Sequence, residues 1–169
     1  MIQHWTHEYT DNLFYRIDEN TRMIHIALSH ISDEELWMRP NAQSNSIGNL
    51  LLHLCGNIHQ YAISALGNKN DDRNRDVEFD TNYGYTKLEL MNKLEETLEK
   101  AKDTMNALSE ADWLKQRSVQ GFRFSGIGIA LHVVEHYSYH TGQIAWWVKQ
   151  IKNVDLGFYD GIDLKQKNN

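Results

Sequence analysis

At 169 residues, 41% of them hydrophobic, the chain has the size and composition of a single globular domain spanning 1–169. A formal charge of −6, with no dense Lys/Arg stripe, argues against a nucleic-acid partner, whose phosphates need a positive field. No apolar run approaches the ~18 residues of a membrane span, Met1–Trp5 does not read as a secretory leader, and the single cysteine, Cys55, excludes an internal disulfide. A cytoplasmic protein without a membrane partner is the expectation.

In chain order, residues 4 to 30 read as a first helix. Trp5, Tyr9, Leu13, Ile17, Ile24, Leu28 and Ile31 recur at the spacing of one buried face. Ser32-Asp33-Glu34-Glu35 is a capping-box pattern opening a short helix that Pro40 ends. A second long helix is expected from Ser46, a plausible N-cap, to Leu66. Ile47, Leu51, Leu54, Ile58 and Ala65 form its stripe, and Gly67-Asn68 its stop. Residues 67 to 85 are polar and aperiodic, and too long for a tight turn, so they read as a crossover between two halves.

Thr86-Lys87-Leu88-Glu89 is a second capping box and starts the third helix, with Leu88, Met91, Leu98, Met105 and Leu108 on its face. A short segment at Ser109–Asp112 follows, then a turn from Gly121 to Phe124. The fourth helix spans Ser125 to Lys152 and is apolar nearly all round, which suits a central position or a subunit interface. The tail after Asn153 reads as irregular. A faint internal repeat pairs Ser32–Glu35 with Ser109–Asp112 and places His53 and His132 each seven residues after a serine, Ser46 and Ser125. The fold class is therefore all-α: a four-helix bundle with a long crossover between helices two and three.

The chemistry sits on helix four, where His132, His136 and His140 follow at spacings of four. Residues at i and i+4 share one face. At ~100° per residue, His136 and His140 fall in the apolar arc of Ile129, Val133, Ile144 and Trp147, while His132 lies at its edge. Buried imidazoles need partners. The partner expected for this pair is His53, beside Asn57 and Gln60 at the edge of the helix-two stripe. Three neutral imidazoles with one open position make a catalytic type of metal site. His132 is kept as a possible extra ligand, with Glu135, Asn57 and Gln143 as groups that orient ligands. His25, His30 and His59 read as surface residues, His4 and His7 as terminal ones, and Cys55 as a small core residue. His132–His136 also matches H-x-x-E-H, the inverted zincin pattern, without an identifiable distal acid. The carboxylate set of a di-iron bundle is absent from the inward faces.

Three segments carry a family resemblance: Asn45-Ser46-Ile47-Gly48-Asn49-Leu50-Leu51-Leu52-His53-Leu54-Cys55-Gly56-Asn57, then Arg73-Asn74-Arg75-Asp76-Val77-Glu78-Phe79, then His136-Tyr137-Ser138-Tyr139-His140-Thr141-Gly142-Gln143-Ile144. Together they resemble the DinB/YfiT superfamily, the middle one matching the N-R-D-x-E-F stretch of one branch. The resemblance implies an up-down-down-up bundle, often dimeric, with a three-histidine metal site that carries over to His53, His136 and His140. It implies one divalent ion, nickel or zinc first and iron or manganese next. Some such proteins are transferases or isomerases that use a low-molecular-weight thiol, and others are regarded as hydrolases. Thr141 stands where many members carry arginine.

Several readings follow. One is a metal-dependent S-transferase that readies a small thiol for attack on an electrophile, with Arg73 and Arg75 as contacts for an anionic small-molecule substrate. A hydrolase using metal-bound water is its alternative. A non-enzymatic metal-binding or stress-response protein is another, and a bare dimerisation module the last. Trp146, Trp147 and the apolar fourth helix favour a homodimer in all of them.

Overall fold

The computed structural model describes residues 5–168. Four long helical segments dominate it. They are α1 (Trp5–Ser29), α3 (Ile47–Ile58), which continues as a π-helical stretch over His59–Leu66, α5 (Lys87–Asn106) and α7 (Gly126–Lys152). Short helices α2 (Asp33–Leu36), α4 (Arg75–Asp80) and α6 (Glu110–Leu114) lie in the connections.

Side-chain caps set where these helices begin. Ser32 accepts from the Glu35 N–H while the Ser32 N–H donates to Glu35 Oε2, and Thr86 with Glu89 and Ser109 with Asp112 repeat the exchange. At α3 the same box uses Ser46 and Asn49. Each reciprocal cap satisfies donors that the first helical turn leaves orphaned, and losing one costs about 1 kcal/mol. Ser125 caps α7, and Asn153, at φ 52°, ends it.

Two departures from the sequence expectation concern the connections. The crossover at 67–85 contains a short helix, α4, which its aperiodic pattern does not announce. The expected turn at Gly121–Phe124 belongs to an antiparallel hairpin, β1 (Gln116–Val119) with β2 (Phe122–Ser125), in which Val119 faces Phe122. The fold is thus mostly helical, as expected, with one two-stranded hairpin added. Gln120 and Gly121 take φ of 50° and 81°, the pair of positive angles that a tight two-residue hairpin turn requires. A third departure is the π-helical end of the second long helix. Its wider turn shifts the side-chain phase, and Tyr61, Ala62, Ile63, Ser64 and Leu66 are all buried there.

The core is drawn from every long segment: Ile17, Ile24, Leu51, Leu54, Leu94 and Ile144 are completely buried. Each such side chain contributes about 1.5–3 kcal/mol of burial. Helix α1 packs on α7 and α5, and α3 packs on α5, α7 and α4. Tyr9 donates to the Ile127 carbonyl and Thr21 bonds Tyr137, tying α1 to α7, while Lys102 meets Asp18 across α1 and α5. Helix α7 buries one face and leaves apolar residues on the other. Ile129, Val133, Tyr137, Ile144 and Val148 are buried, whereas Leu131, Tyr139 and Trp146 are exposed. Beyond α7 the tail is irregular, yet Leu156 is buried against the core. No helix among the described residues is long and apolar enough to cross a membrane.

Candidate metal centre

His53 lies nearly two turns into α3, in a run where almost every side chain is buried, and it is itself only 6% exposed. His136 and His140 lie one turn apart on the face of α7 that meets α3. The structure brings these three together. His136 Nε2 lies 3.2 Å from His53 Nε2 and 3.2 Å from His140 Nε2. One ligand atom from each lies within 4.8 Å of the others, a group that can hold a metal ion.

The outer ring nitrogens explain why these atoms point inward. His53 Nδ1 lies 2.9 Å from Glu78 Oε2, and His140 Nδ1 lies 2.7 Å from Gln143 Oε1. Arg73 Nη2 also lies 3.1 Å from His53 Nδ1, but the Glu78 carboxylate oxygen is nearer and can only accept, as the Gln143 oxygen does at His140, so each Nδ1 carries the proton and each Nε2 presents a lone pair to the centre. Such outward anchoring is the usual support of a metal-bound histidine. Lone pairs facing one another at 3.2 Å repel, and a shared cation resolves the conflict. Tetrahedral coordination at a metal–nitrogen distance of about 2.05 Å puts ligand nitrogens about 3.3 Å apart, close to the spacing here. His136 Nδ1 is buried without a hydrogen-bond partner among the described residues. Its burial, then the neighbouring His140, His53 and His132, push its pKa down to about 3. Burial likewise takes His140 to about 4. Both rings are therefore neutral near pH 7, the form a metal ligand needs.

The support for His53 comes from the crossover. Arg73 Nε and Nη2 donate to Glu78 Oε1 and Oε2 at 2.7 and 2.8 Å, a bidentate fork. Arg73 Nη1 donates to Gln60, whose amide donates to Asp71. Both ionic side chains are buried, Arg73 at 3% exposure and Glu78 at 8%. Burial alone would raise the Glu78 carboxyl, but the hydrogen bonds from Arg73 and His53 overcome it and hold the group below the usual carboxylate range. Gly56 makes the approach possible, because a Cβ there would sit 1.9 Å from Glu78 Oε1. Asn49 fixes the same segment from below, donating to the carbonyls of Glu78 and Thr81.

The other residues singled out from the sequence take varied places. His132 stays outside the three-histidine group. Its ring stacks on Tyr61 at 4.1 Å and its Nε2 accepts from Asn57 at 3.4 Å, so Asn57 contacts His132 rather than one of the three. Glu135 is exposed on the outer side of α7, and it acts on His132 through its charge alone. Gln143 orients His140 directly. Arg73 is committed to Glu78 and Gln60, whereas Arg75 lines the cavity over the centre. Cys55 is buried and its thiol is pushed up to about 12 by desolvation, an inert core residue. His25 pairs with Glu95 and His59 approaches Asp72, both near the surface; His4 lies outside the described residues. Glu78 is the site residue that sequence reasoning passed over. It stands in the segment read for its arginines, and the signal available was a carboxylate beside them, the partner that a ligating histidine commonly takes.

Above the three histidines opens a cavity of about 510 Å³, with Leu50, Phe79, Tyr139, Trp146 and Trp147 in its walls. An ion held by the three histidines would border space for a small molecule.

Among solved structures, the chain is similar to a DinB-like protein, YjoA, from Bacillus subtilis, with TM-score 0.63 and 16% identity over 88% of this chain and 94% of that one. It is also similar to a DinB-like protein from Bacillus cereus, with TM-score 0.68 and 12% identity over 85% of this chain and 90% of that one. At these identities the likeness speaks for the fold alone. No curated protein matches. A family model described as "Protein of unknown function (DUF1572)" matches residues 4–159. With nearly the whole chain covered, the protein belongs to the DUF1572 family, and its fold is DinB-like.

Proposed function

We propose that this protein is a metal-dependent enzyme acting on a small molecule, with His53, His136 and His140 as ligands to one divalent ion. Nickel and zinc suit the all-imidazole set first, iron and manganese next. The observation that carries this reading is the convergence of three Nε2 atoms on the floor of an open cavity. A purely structural site would close all four positions.

A bound ion supplies positive charge that lowers the pKa of a thiol or a water at the open position. The chain's own residues do the rest. Glu78 and Gln143 hold His53 and His140 in the tautomer that leaves Nε2 free. Phe79, Tyr139 and Trp147 give the space above the centre aromatic surface on which a small molecule can pack. The reaction we favour is S-transfer from a low-molecular-weight thiol to an electrophile, with hydrolysis as the alternative and non-catalytic metal binding in a stress response as the remaining one. The likeness to the DinB/YfiT superfamily in the three sequence segments supports the first. The family's up-down-down-up four-helix arrangement is part of the proposal. Contacts that climb together along α1 and α7 (9 with 127, 21 with 137) and oppositely along α3 and α7 (53 with 136, 57 with 132) support it. So is a cytoplasmic homodimer, supported by the exposed apolar residues of α7 and testable by light scattering.

Metal content by mass spectrometry on untagged wild type and His136→Ala is the test. About one equivalent in the wild type, lost in the variant, is the expected result, and no metal in the wild type after reconstitution would overturn the reading. Turnover that requires added thiol then favours transfer, and turnover without it favours hydrolysis.

A further inference from the structure

The cavity above the histidines has an uneven charge. Among the described residues lining it, Arg75 alone carries a formal charge, and no Asp or Glu side chain faces the space. For a chain of net charge −6 this is a local reversal. Arg73 and Arg75 lie two residues apart, yet they differ in what they are free to do. Arg73 spends its guanidinium on Glu78 and Gln60. Arg75 makes no hydrogen bond or ion pair among the described residues. Its guanidinium instead lies over the Phe79 ring, 4.7 Å from the centroid, and Phe79 in turn lies 4.9 Å from the His53 ring. Stacking of this kind fixes the plane of an arginine while leaving its N–H edge unspent.

We infer that Arg75 is the specificity-determining residue of this cavity and selects small carboxylate-bearing molecules with an apolar or aromatic body. The guanidinium fork matches a carboxylate in a bidentate pair. Arg75 is the one charged side chain in the lining, with no second arginine or lysine beside it, so at the end of the cavity away from the histidines a monoanionic carboxylate fits better than a phosphate dianion. The walls of Leu50, Phe79 and Trp147 take the apolar body. The row Arg75–Phe79–His53 places the anchoring charge to one side of the histidines, so that the far end of the molecule reaches the centre. This deepens the proposed small-molecule reading of the site, but its test does not depend on the metal.

The probes are 1-naphthoate and its neutral counterpart 1-naphthamide. Each is titrated calorimetrically into wild type, Arg75→Gln and Arg75→Lys, in metal-loaded and chelator-stripped form. Arg75 is exposed, so these variants leave the fold in place. In the stripped wild type, naphthoate is expected to bind about tenfold more tightly than the amide, the effect of one charge-assisted pair. Arg75→Gln erases that preference without weakening the amide, and Arg75→Lys retains part of it. Equal binding of the two probes, no binding of naphthoate, or a preference that survives in stripped Arg75→Gln would each overturn the inference, the last by assigning the anion to another group of the cavity. A wild type that holds no metal but keeps the preference would defeat the metal proposal and leave Arg75 in its role.

Discussion

His53 and His140 deliver the same atom to the same point, but they are aimed by different kinds of device. His140 takes its orientation from Gln143, three residues on along the same helix and exposed to solvent. His53 takes its orientation from Glu78, 25 residues away in the crossover, buried and clamped by Arg73. The difference teaches where this site is robust. A neutral, exposed support can be replaced by water at small cost. A buried charged support cannot, because whatever it leaves behind stays desolvated.

Glu78→Ala breaks the comparison most severely. It strands the Arg73 guanidinium in a place that is 3% exposed, and breaking a buried pair in this way costs about 3–5 kcal/mol. We expect a marked fall in the urea midpoint together with a loss of metal affinity of about 10–100-fold, read by competition with a chelator. Unchanged values for both would show that the crossover does not hold His53.

Acidification probes both arms at once. In the metal-free protein, His136 and His140 have pKa values lowered from 6.5 to about 3 and about 4. Between pH 6.5 and those values the unfolded chain binds protons that the folded chain refuses, so stability falls as pH drops through that window. Glu78, also lowered, adds to the loss further down, below the usual carboxylate range. Thermal melts of the stripped protein from pH 7 to pH 4 should show a falling Tm, and the double variant His136→Ala, His140→Ala should flatten the upper part of that curve. A Tm independent of pH over this interval would contradict the burial of the two rings.

Gln143→Ala is the mildest test. With the amide gone, water can accept from His140 Nδ1, so we expect about a tenfold loss of metal affinity and a stability change within about 0.5 kcal/mol. If Gln143→Ala proved as damaging as Glu78→Ala, the contrast between local and remote support would fail.

The legible parts of this molecule are those written in short windows. The capping boxes at Ser32, Thr86 and Ser109 announce helix starts within four residues, and the start of α3 at Ser46 follows the same logic with asparagine in the acid's place. The spacing of His136 and His140 places both rings on one apolar face, and burial pressure then asks for a partner on another helix. The hairpin was harder to read, since four-residue strands carry little periodicity. The π-helical end of the second long helix leaves no mark at all in its run of helix-compatible residues.

What the sequence by itself determined is therefore the four long helices, their caps and the pairing of two histidines along one of them, because each depends on residues a turn or two apart. What only the tertiary structure decided is which carboxylate stands behind His53, which arginine is spent and which is free, and which ring nitrogen carries each proton. Glu78 reaches His53 only because Gly56 lacks a side chain and Asn49 holds the crossover's carbonyls. Those three residues lie on two separate elements, and their relation is a matter of packed distance, which no local pattern encodes.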